Sequence, residues 1–523
     1  MLSKKARLFE LLGKSNGGSV LLVSPNDLGS YRSGTFIIEN LGIGYLSSYL
    51  SSLGVNVTIC DARFFGLTPQ QAARLLGAKT FDLVGLSIAS RNGVKWCRDF
   101  CNELHESNYR HITAGGQFPT LETKDTFSII NNLDSVIMGE GELSIGKLCE
   151  HIINRSDWRK EKGISYRQEN GEIFISQDRD IACEPDKLPF PYRYLLPYQD
   201  ENSEILIEGS RGCVFWCTFC AIRPFLGKFV HDSWRIRSAE NILKEIKQIM
   251  AINPKVKNFR FIDSDFIGPL HSERAWKFAK LAQQQLKNVF MHMEGRAISI
   301  MNSEDLLLEL KKAGLRRVYL GVESGSQRIL DKMNKRTTVE ENKRAIDVLK
   351  KLNIDFSYGF IMVTPWSEDE DITENIAMLK YIGKIQMNKF FHELFLIRGT
   401  VAYDMVKKDG VKLNELNGYY TYPSRTENIA KLRKLGSYLE YNCVPFMKRL
   451  WLLYNKVRKL NFGDSSFQEL EKQLDRLYID IFEYCWKKSK GGETEEQIVN
   501  ACMKKFDPNI KDLEFKIEES ASC

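Results

Sequence analysis

Residues 204–220 read EILIEGSRGCVFWCTFC: a short apolar strand, EILIEGS, runs directly into cysteines at positions 213, 217 and 220. With twelve cysteines in 523 residues, chance would place two more at those offsets in about one case in a hundred or fewer on composition alone. A structural zinc site takes four protein ligands, usually as two knuckles, and no second CxxC or HxxxH follows at finger spacing. Cys213, Cys217 and Cys220 therefore read as three thiolate ligands of a cubane iron–sulfur cluster that leaves one iron open, since a closed cubane takes four. Gly209 and Gly212 let the backbone turn tightly there, and Phe215, Trp216 and Phe219 stand ready to shield the cluster.

Downstream the same rhythm continues. The runs NFRFIDSD (258–265), VFMHMEG (289–295), RRVYLGVES (316–324), DFSYGFIMV (355–363) and KFFHELFLI (389–397) follow EILIEGS as strands, with helix-length segments between them. Six such units predict a partial (β/α)6 barrel over 201–400, with the cysteine loop on the strand-end face where barrels gather functional groups. His292 on the third strand reads as a packed barrel residue. After 400 the pattern is helical only, in TENIAKLRKLGSYLEYN, SFQELEKQLDRLYIDIFEYCWKKS and ETEEQIVNACMKKF, so 401–523 is expected to be a helical region.

Upstream, residues 18–155 alternate SVLLVS, VNVTIC, DLVGLSI, RHITAGG and DSVIMGEGE with five amphipathic segments, the pattern of a doubly wound, Rossmann-like α/β domain. Residues 156–200 lose the rhythm in the proline-rich EPDKLPFPYRYLLPYQD and read as a linker with a small hairpin before it. Residues 1–17 read as a frayed tail without a signal-peptide pattern. The fold class is thus α/β throughout, ending in helices.

Lysine and arginine exceed aspartate and glutamate by 74 − 67 = 7 along the chain, with no dense basic stripe. Nucleic acid is therefore not the expected partner, and without a long apolar run the chain is expected in the cytoplasm. Scattered cysteines in a large chain favour reduced thiols over a disulfide frame. Cys97 and Cys101 lie four apart on one helical face and read as packing thiols. Cys443, Cys485, Cys502 and Cys523 lack the spacing of a second cluster, so a single cluster is expected.

The cysteine loop, with the aromatic Phe219 just before its third cysteine, resembles that of the radical S-adenosylmethionine superfamily. The resemblance implies that the open iron binds the amino and carboxylate groups of the methionine moiety, and that reductive cleavage yields a 5′-deoxyadenosyl radical. It places Phe219, Asp263 and Asp265 of FIDSDF, Arg296 of MEGRAISI, and Glu323 and Ser324 of YLGVESGSQRIL around S-adenosylmethionine, with GFIMVTPWSED beside the adenine. The family's usual glycine-glycine-glutamate is absent from FIDSDF. The aspartates also have a structural reading as helix caps, and Glu323 as a barrel-end ion pair.

The first domain resembles the cobalamin-binding domain of the class B subgroup in NLGIGYLSSYLSSLGVNVTICDA, DLVGLSI, AGGQFPT and VIMGEGE. That implies cobalamin held by Ser87, Gly115, Gly116, Gly139, Glu140 and Gly141 beyond the strand ends. The D-x-H-x-x-G motif is missing, and SPNDLGSYRSG and ASRNGVKWC contain no histidine to ligate cobalt. The whole resembles a cobalamin-dependent radical methyltransferase acting on an unactivated carbon or phosphorus of a small natural-product or lipid intermediate. It would work as a monomer with an external flavodoxin- or ferredoxin-type donor. Alternatives with the same domains are rearrangement, dehydration or ring contraction; a tRNA methylthiotransferase fits poorly, and a non-enzymatic cobalamin or iron–sulfur sensor is the reading from another class.

Overall fold

The structure is a computed structural model that describes all residues outside 1–5, 14–16, 28–37, 183, 228–233, 269–272, 386, 417–418, 443–447, 454–464 and 523. Cys443 and Cys523 fall outside the described residues.

The first sheet has eight strands: β1 (Phe9–Leu11), β2 (Ser19–Ser24), β3 (Asn56–Asp61), β4 (Phe81–Ser87), β5 (Tyr109–Gly115), β6 (Ser135–Ile137), β7 (Ile164–Arg167) and β8 (Ile173–Phe174), in the order β1-β3-β2-β4-β5-β6-β7-β8. The five runs seen in the sequence are β2 to β6, all parallel. Alternate side chains feed two cores. Val20 and Leu22 pack with Ile43, Leu50, Ile145 and Leu148 on one face, while Leu21 and Val23 pack with Val94, Phe100 and Phe127 on the other. Both faces being covered is why these strands read as continuous apolar runs. Winding reverses between β2 and β4, which opens a crevice at their carboxyl ends.

Both flanks of this sheet depart from expectation. The supposed tail 1–17 contains β1, antiparallel to β3 with Phe9 opposite Ile59. Phe9 is held by Phe65, Tyr194 and Tyr198, and a three-residue strand carries no readable period. The hairpin expected ahead of the proline-rich stretch is β7 with β8, and β7 pairs with β6, so the sheet runs on into the linker. Its proline-rich half buries Tyr194, Leu195 and Leu196 and is a packed joint.

The second sheet comprises β9 (Glu204–Ile207), β12 (Asn258–Phe261), β13 (Phe290–Arg296), β14 (Leu315–Glu323) and β15 (Asp355–Phe360), parallel and in the order β15-β14-β13-β12-β9. The hairpin β10 (Ser210–Gly212) with β11 (Trp234–Ile236) stands apart from it. The sixth run lies beside β15, joined by one parallel bridge, Val363 to Glu393, and by bonds such as Leu394 N to Val363 O, 2.8 Å. The carboxyl-terminal helices Glu427–Asn442, Ser465–Ser489 and Glu495–Ser522 follow a short hairpin of β16 (Asn414–Leu416) and β17 (Tyr419–Thr421). They close the open flank: Phe390 stacks on Phe482 at 4.2 Å, and Ile385 N donates to Asp475 Oδ1 at 2.6 Å. Among the described residues no helix is long and apolar enough to cross a membrane.

Candidate functional site

The three cysteines lie just past β10, where Gly212 takes a φ of +82°, at the carboxyl end of β9. Their loop is fastened from several sides. Thr218 N donates to Met333 O at 2.9 Å and Ala402 N to Thr218 O at 2.8 Å, and Asn334 Nδ2 donates to Trp216 O at 2.7 Å. All three thiols are free and partly exposed. Burial pushes Cys220 up to about 11, with the other two thiols adding to the effect and Lys335 opposing it. Among the described residues no three thiol, acid or imidazole groups converge as ligands of a single ion would. Three unpaired thiols spread round one loop, each within electrostatic reach of the others, fit a cubane, whose cysteines take different irons.

Arg296 ends β13 and crosses to this loop. Its Nη1 donates to Cys217 Sγ at 3.3 Å, its guanidinium lies 3.7 Å from the Phe215 ring centre, and its Nη2 bonds Lys335 O. Its buried Nε has no partner, an orphaned donor that suits an incoming carboxylate. Phe219 packs partly buried against the apolar cluster containing Leu330 and Trp366, whereas Trp216 is half exposed beside Arg223.

The remaining barrel-end residues are bonded within the chain. Asp263 accepts from Gly209 N at 2.9 Å and Ser210 Oγ at 2.5 Å. Asp265 accepts from Ser299 Oγ at 2.5 Å and Gly268 N at 3.2 Å, and burial raises it to about 6. Ser324 Oγ donates to Asn375 Oδ1 at 2.8 Å. Glu323, in a left-handed backbone conformation at φ +65°, pairs with Lys335 Nζ at 2.9 Å. So Arg296 and the cysteines meet directly, the two aspartates brace the cysteine approach and the start of the next turn, and Ser324 ties β14 to a helix.

On the other side of Gly212 opens a cavity of about 340 Å³. It is lined by Ser87, Gly115, Gly116, Gly139, Glu140 and Gly141 from the first domain and by Ser210, Arg211, Gly212, Ile262 and Ser264 from the barrel. Two glycines of the lining are packed too closely for a side chain: a Cβ on Gly116, at φ +106°, would meet Ile88 O at 2.5 Å, and one on Gly139 would meet Phe225 O at 3.0 Å. A glycine-lined cavity beyond the strand ends at a switch point suits a flat corrin. The Glu140 carboxylate is engaged by Arg235 and Arg211, which hold it below the ordinary range against the effect of burial.

Sequence reading missed the charges that hold the cleft's two walls. Arg211 pairs with Glu142 at 2.7 Å and Glu208 at 2.8 Å; Arg193 pairs with Glu39 at 3.1 Å and Glu245 at 2.6 Å. Apart from Glu208, three positions from Arg211, these partners lie more than fifty positions apart, and nothing in a linear pattern pairs them. Lys335 was missed too, although its setting between Asn334 and Arg336 in KMNKRTT directly follows the helix Gln327–Lys332. Both neighbours take left-handed φ values, 47° and 50°.

Comparison with known proteins gives a consistent picture. The radical SAM superfamily model matches residues 207–379 and the B12 binding domain model residues 32–148. An uncharacterized methyltransferase of Pyrococcus horikoshii is 26% identical over 354 residues, 66% of this chain and 74% of that protein. The anaerobic magnesium-protoporphyrin IX monomethyl ester cyclase of Synechocystis is 24% identical over 359 residues, 67% of this chain and 70% of that one. Among solved structures, the cobalamin-dependent S-adenosylmethionine radical enzyme OxsB with aqua-cobalamin and S-adenosylmethionine bound superposes with a TM-score of 0.74 at 18% identity. The match covers 96% of this chain and 79% of that one.

Proposed function

Because the chain belongs to the radical S-adenosylmethionine enzymes that carry a B12-binding domain, with a [4Fe–4S] cluster, S-adenosylmethionine and cobalamin as cofactors, we propose that it is a methyltransferase acting on an unactivated carbon or phosphorus of a small molecule. The observation that carries this reading is that Gly212, next to the first cluster cysteine, also lines the cavity shared with the first domain. When bound, the cluster supplies the electron that splits S-adenosylmethionine, and cobalamin supplies the methyl group. The chain's own part is positional. Cys213, Cys217 and Cys220 hold the cluster, Arg296 directs its orphaned Nε at the donor's carboxylate, and Glu140 with Arg211 and Arg235 keeps the cleft's two walls in register. Asp263 and Asp265 act at one remove, by fixing Gly209, Ser210 and Gly268. The setting is cytosolic, with a flavodoxin- or ferredoxin-type reductant.

The test needs no knowledge of the acceptor. Anaerobically reconstituted protein with reduced cobalamin is given methyl-labelled S-adenosylmethionine, and label is expected to be recovered with the corrin. Label confined to unreacted donor and methionine overturns methyl transfer. The cyclase relative favours a ring-forming reaction as the second reading, which predicts 5′-deoxyadenosine formation without labelled corrin.

A further inference from the structure

The cysteine loop is fastened on one side and open on the other. Inward, Cys217 and the Phe215 ring meet Arg296, and Thr218 is held by Met333 and Ala402. Outward, Trp216 is the one residue of 210–227 that stands exposed, at 49%. Its carbonyl is pinned by Asn334 Nδ2 at 2.7 Å. The Arg223 guanidinium lies 3.9 Å from the centre of the indole, with its Nε donating to Phe215 O at 3.3 Å, and it is close enough to Cys213 and Cys220 to feel their charge. A cation over an exposed indole face holds the ring in place.

More cations surround this ring, and they are unanswered. Thr218 Oγ1 donates to Lys332 O at 3.2 Å, which sets Lys332 beside the loop, and Arg336, left-handed at φ +50°, follows Asn334 by two positions. Both side chains are exposed, and among the described residues neither they nor Arg223 has a carboxylate partner. On the same turn Asp331 accepts from Gln327 Nε2 at 2.9 Å. The helix Val401–Lys408, which begins against Thr218, adds one exposed acid, Asp404, and two exposed lysines, Lys407 and Lys408. Its first residue, Val401, is 55% exposed and widens the apolar centre of the patch.

Resting on the function proposed above, which requires an electron to reach the cluster from outside the chain, we propose that Trp216, Arg223, Lys332 and Arg336 form the landing surface for a small acidic electron-carrier protein. One electron leaves the carrier's reduced centre and enters the cluster held by Cys213, Cys217 and Cys220; no group is transferred. Electron transfer weakens steeply with distance, so the carrier must touch the chain where the cluster lies nearest to solvent. Trp216, between the first and second cluster cysteines, marks that place. Tryptophan and arginine are the side chains that most often anchor protein contacts, and unpaired cations around them draw a negatively charged partner from a distance. Electron-transfer encounters are among the smallest of protein contacts, so a patch of this extent suffices.

The test uses the full chain, reconstituted with cluster and cobalamin, and a purified acidic flavodoxin as the probe. Binding is read by fluorescence anisotropy of labelled flavodoxin, and S-adenosylmethionine cleavage is driven in parallel by reduced flavodoxin and by dithionite, which needs no docking surface. Wild type is expected to lose about tenfold in affinity between about 0.05 and 0.5 M salt. Arg336→Glu should weaken binding about tenfold and slow flavodoxin-driven cleavage by a similar factor at subsaturating carrier, with dithionite-driven cleavage within about twofold of wild type. Lys504→Glu, the same change of net charge on the helix Glu495–Ser522, should alter neither. Unchanged flavodoxin binding by Arg336→Glu, an equal effect of Lys504→Glu, or equal slowing with both reductants overturns the inference alone. So does a flavodoxin that neither binds nor supports cleavage while dithionite supports it. A wild-type sample that holds iron yet cleaves no S-adenosylmethionine with either reductant overturns the function on which it rests.

Discussion

Glu140 on the loop after β6 and Arg211 on β10 join the two α/β units across the edge of the cavity, 3.4 Å apart and both buried. The same carboxylate also holds Arg235, whose Nη1 further donates to Ala182 O at 2.6 Å. Arg211 has two other carboxylates, but Arg235 has only this one among the described residues. Glu140→Ala therefore leaves a buried guanidinium without its counter-ion, a change that costs about 3–5 kcal/mol. A calorimetric scan should show the main transition lowered by about 5 °C or more; a shift under one degree contradicts the arrangement.

Arg296 is expected to matter for the sulfonium donor far more than for the corrin. Loss of a charge-assisted hydrogen bond weakens binding by about 1.5–3 kcal/mol. Arg296→Met should therefore bind S-adenosylmethionine roughly 10- to 100-fold more weakly by equilibrium dialysis. Corrin content per chain should stay within twofold of wild type; equal loss of both would mean that the substitution disturbs the fold and that Arg296 has no separate role.

Gly116 adopts φ +106° and ψ −171°, a region nearly closed to residues with a side chain, where strain costs about 1–3 kcal/mol. Its Cβ would also collide with a carbonyl oxygen, which cannot rotate away. Gly116→Ala is expected to lower corrin content at least threefold, read from visible absorbance, while iron per chain holds. Unchanged corrin would show that the crevice floor lies away from the ligand.

Glu122 ties the first domain to the segment after the barrel, with Arg398 at 2.7 Å and Tyr420 donating at 3.3 Å. Burial nevertheless raises its carboxyl from 4.5 to about 7. The folded state then binds the proton more tightly than the unfolded chain, so stability falls as pH rises from about 4.5 to about 7 and is level above. Glu122→Gln, which stays neutral, should melt close to wild type at pH 5 and above it at pH 7.5. A gap that does not change with pH contradicts the assignment.

The parallel strands were legible because burial on both faces writes a continuous apolar run that no neighbour can disguise. The cysteine loop was legible because a ligand set on one short turn must be contiguous. What escaped was short or distant. β1 and the β16–β17 hairpin are three-residue strands stabilised by partners elsewhere. The sixth run, KFFHELFLI, has strand composition, yet the short helical turn Met387–Phe390 occupies its start and Phe390 turns toward Phe482. Asp263 shows the limit for site residues: its place after β12 was readable, but that both its oxygens are taken by Gly209 and Ser210 depends on how two strands meet.

The apolar core that runs without a break from Ile205 on β9 to Ile517 near the chain's end has a practical corollary for protein engineering. The last hundred residues are not an appendage that can be exchanged between relatives to borrow their selectivity. A chimera joined at residue 400 would inherit half of a shared interior, and its designer would have to transplant the facing surface of the sixth segment as well.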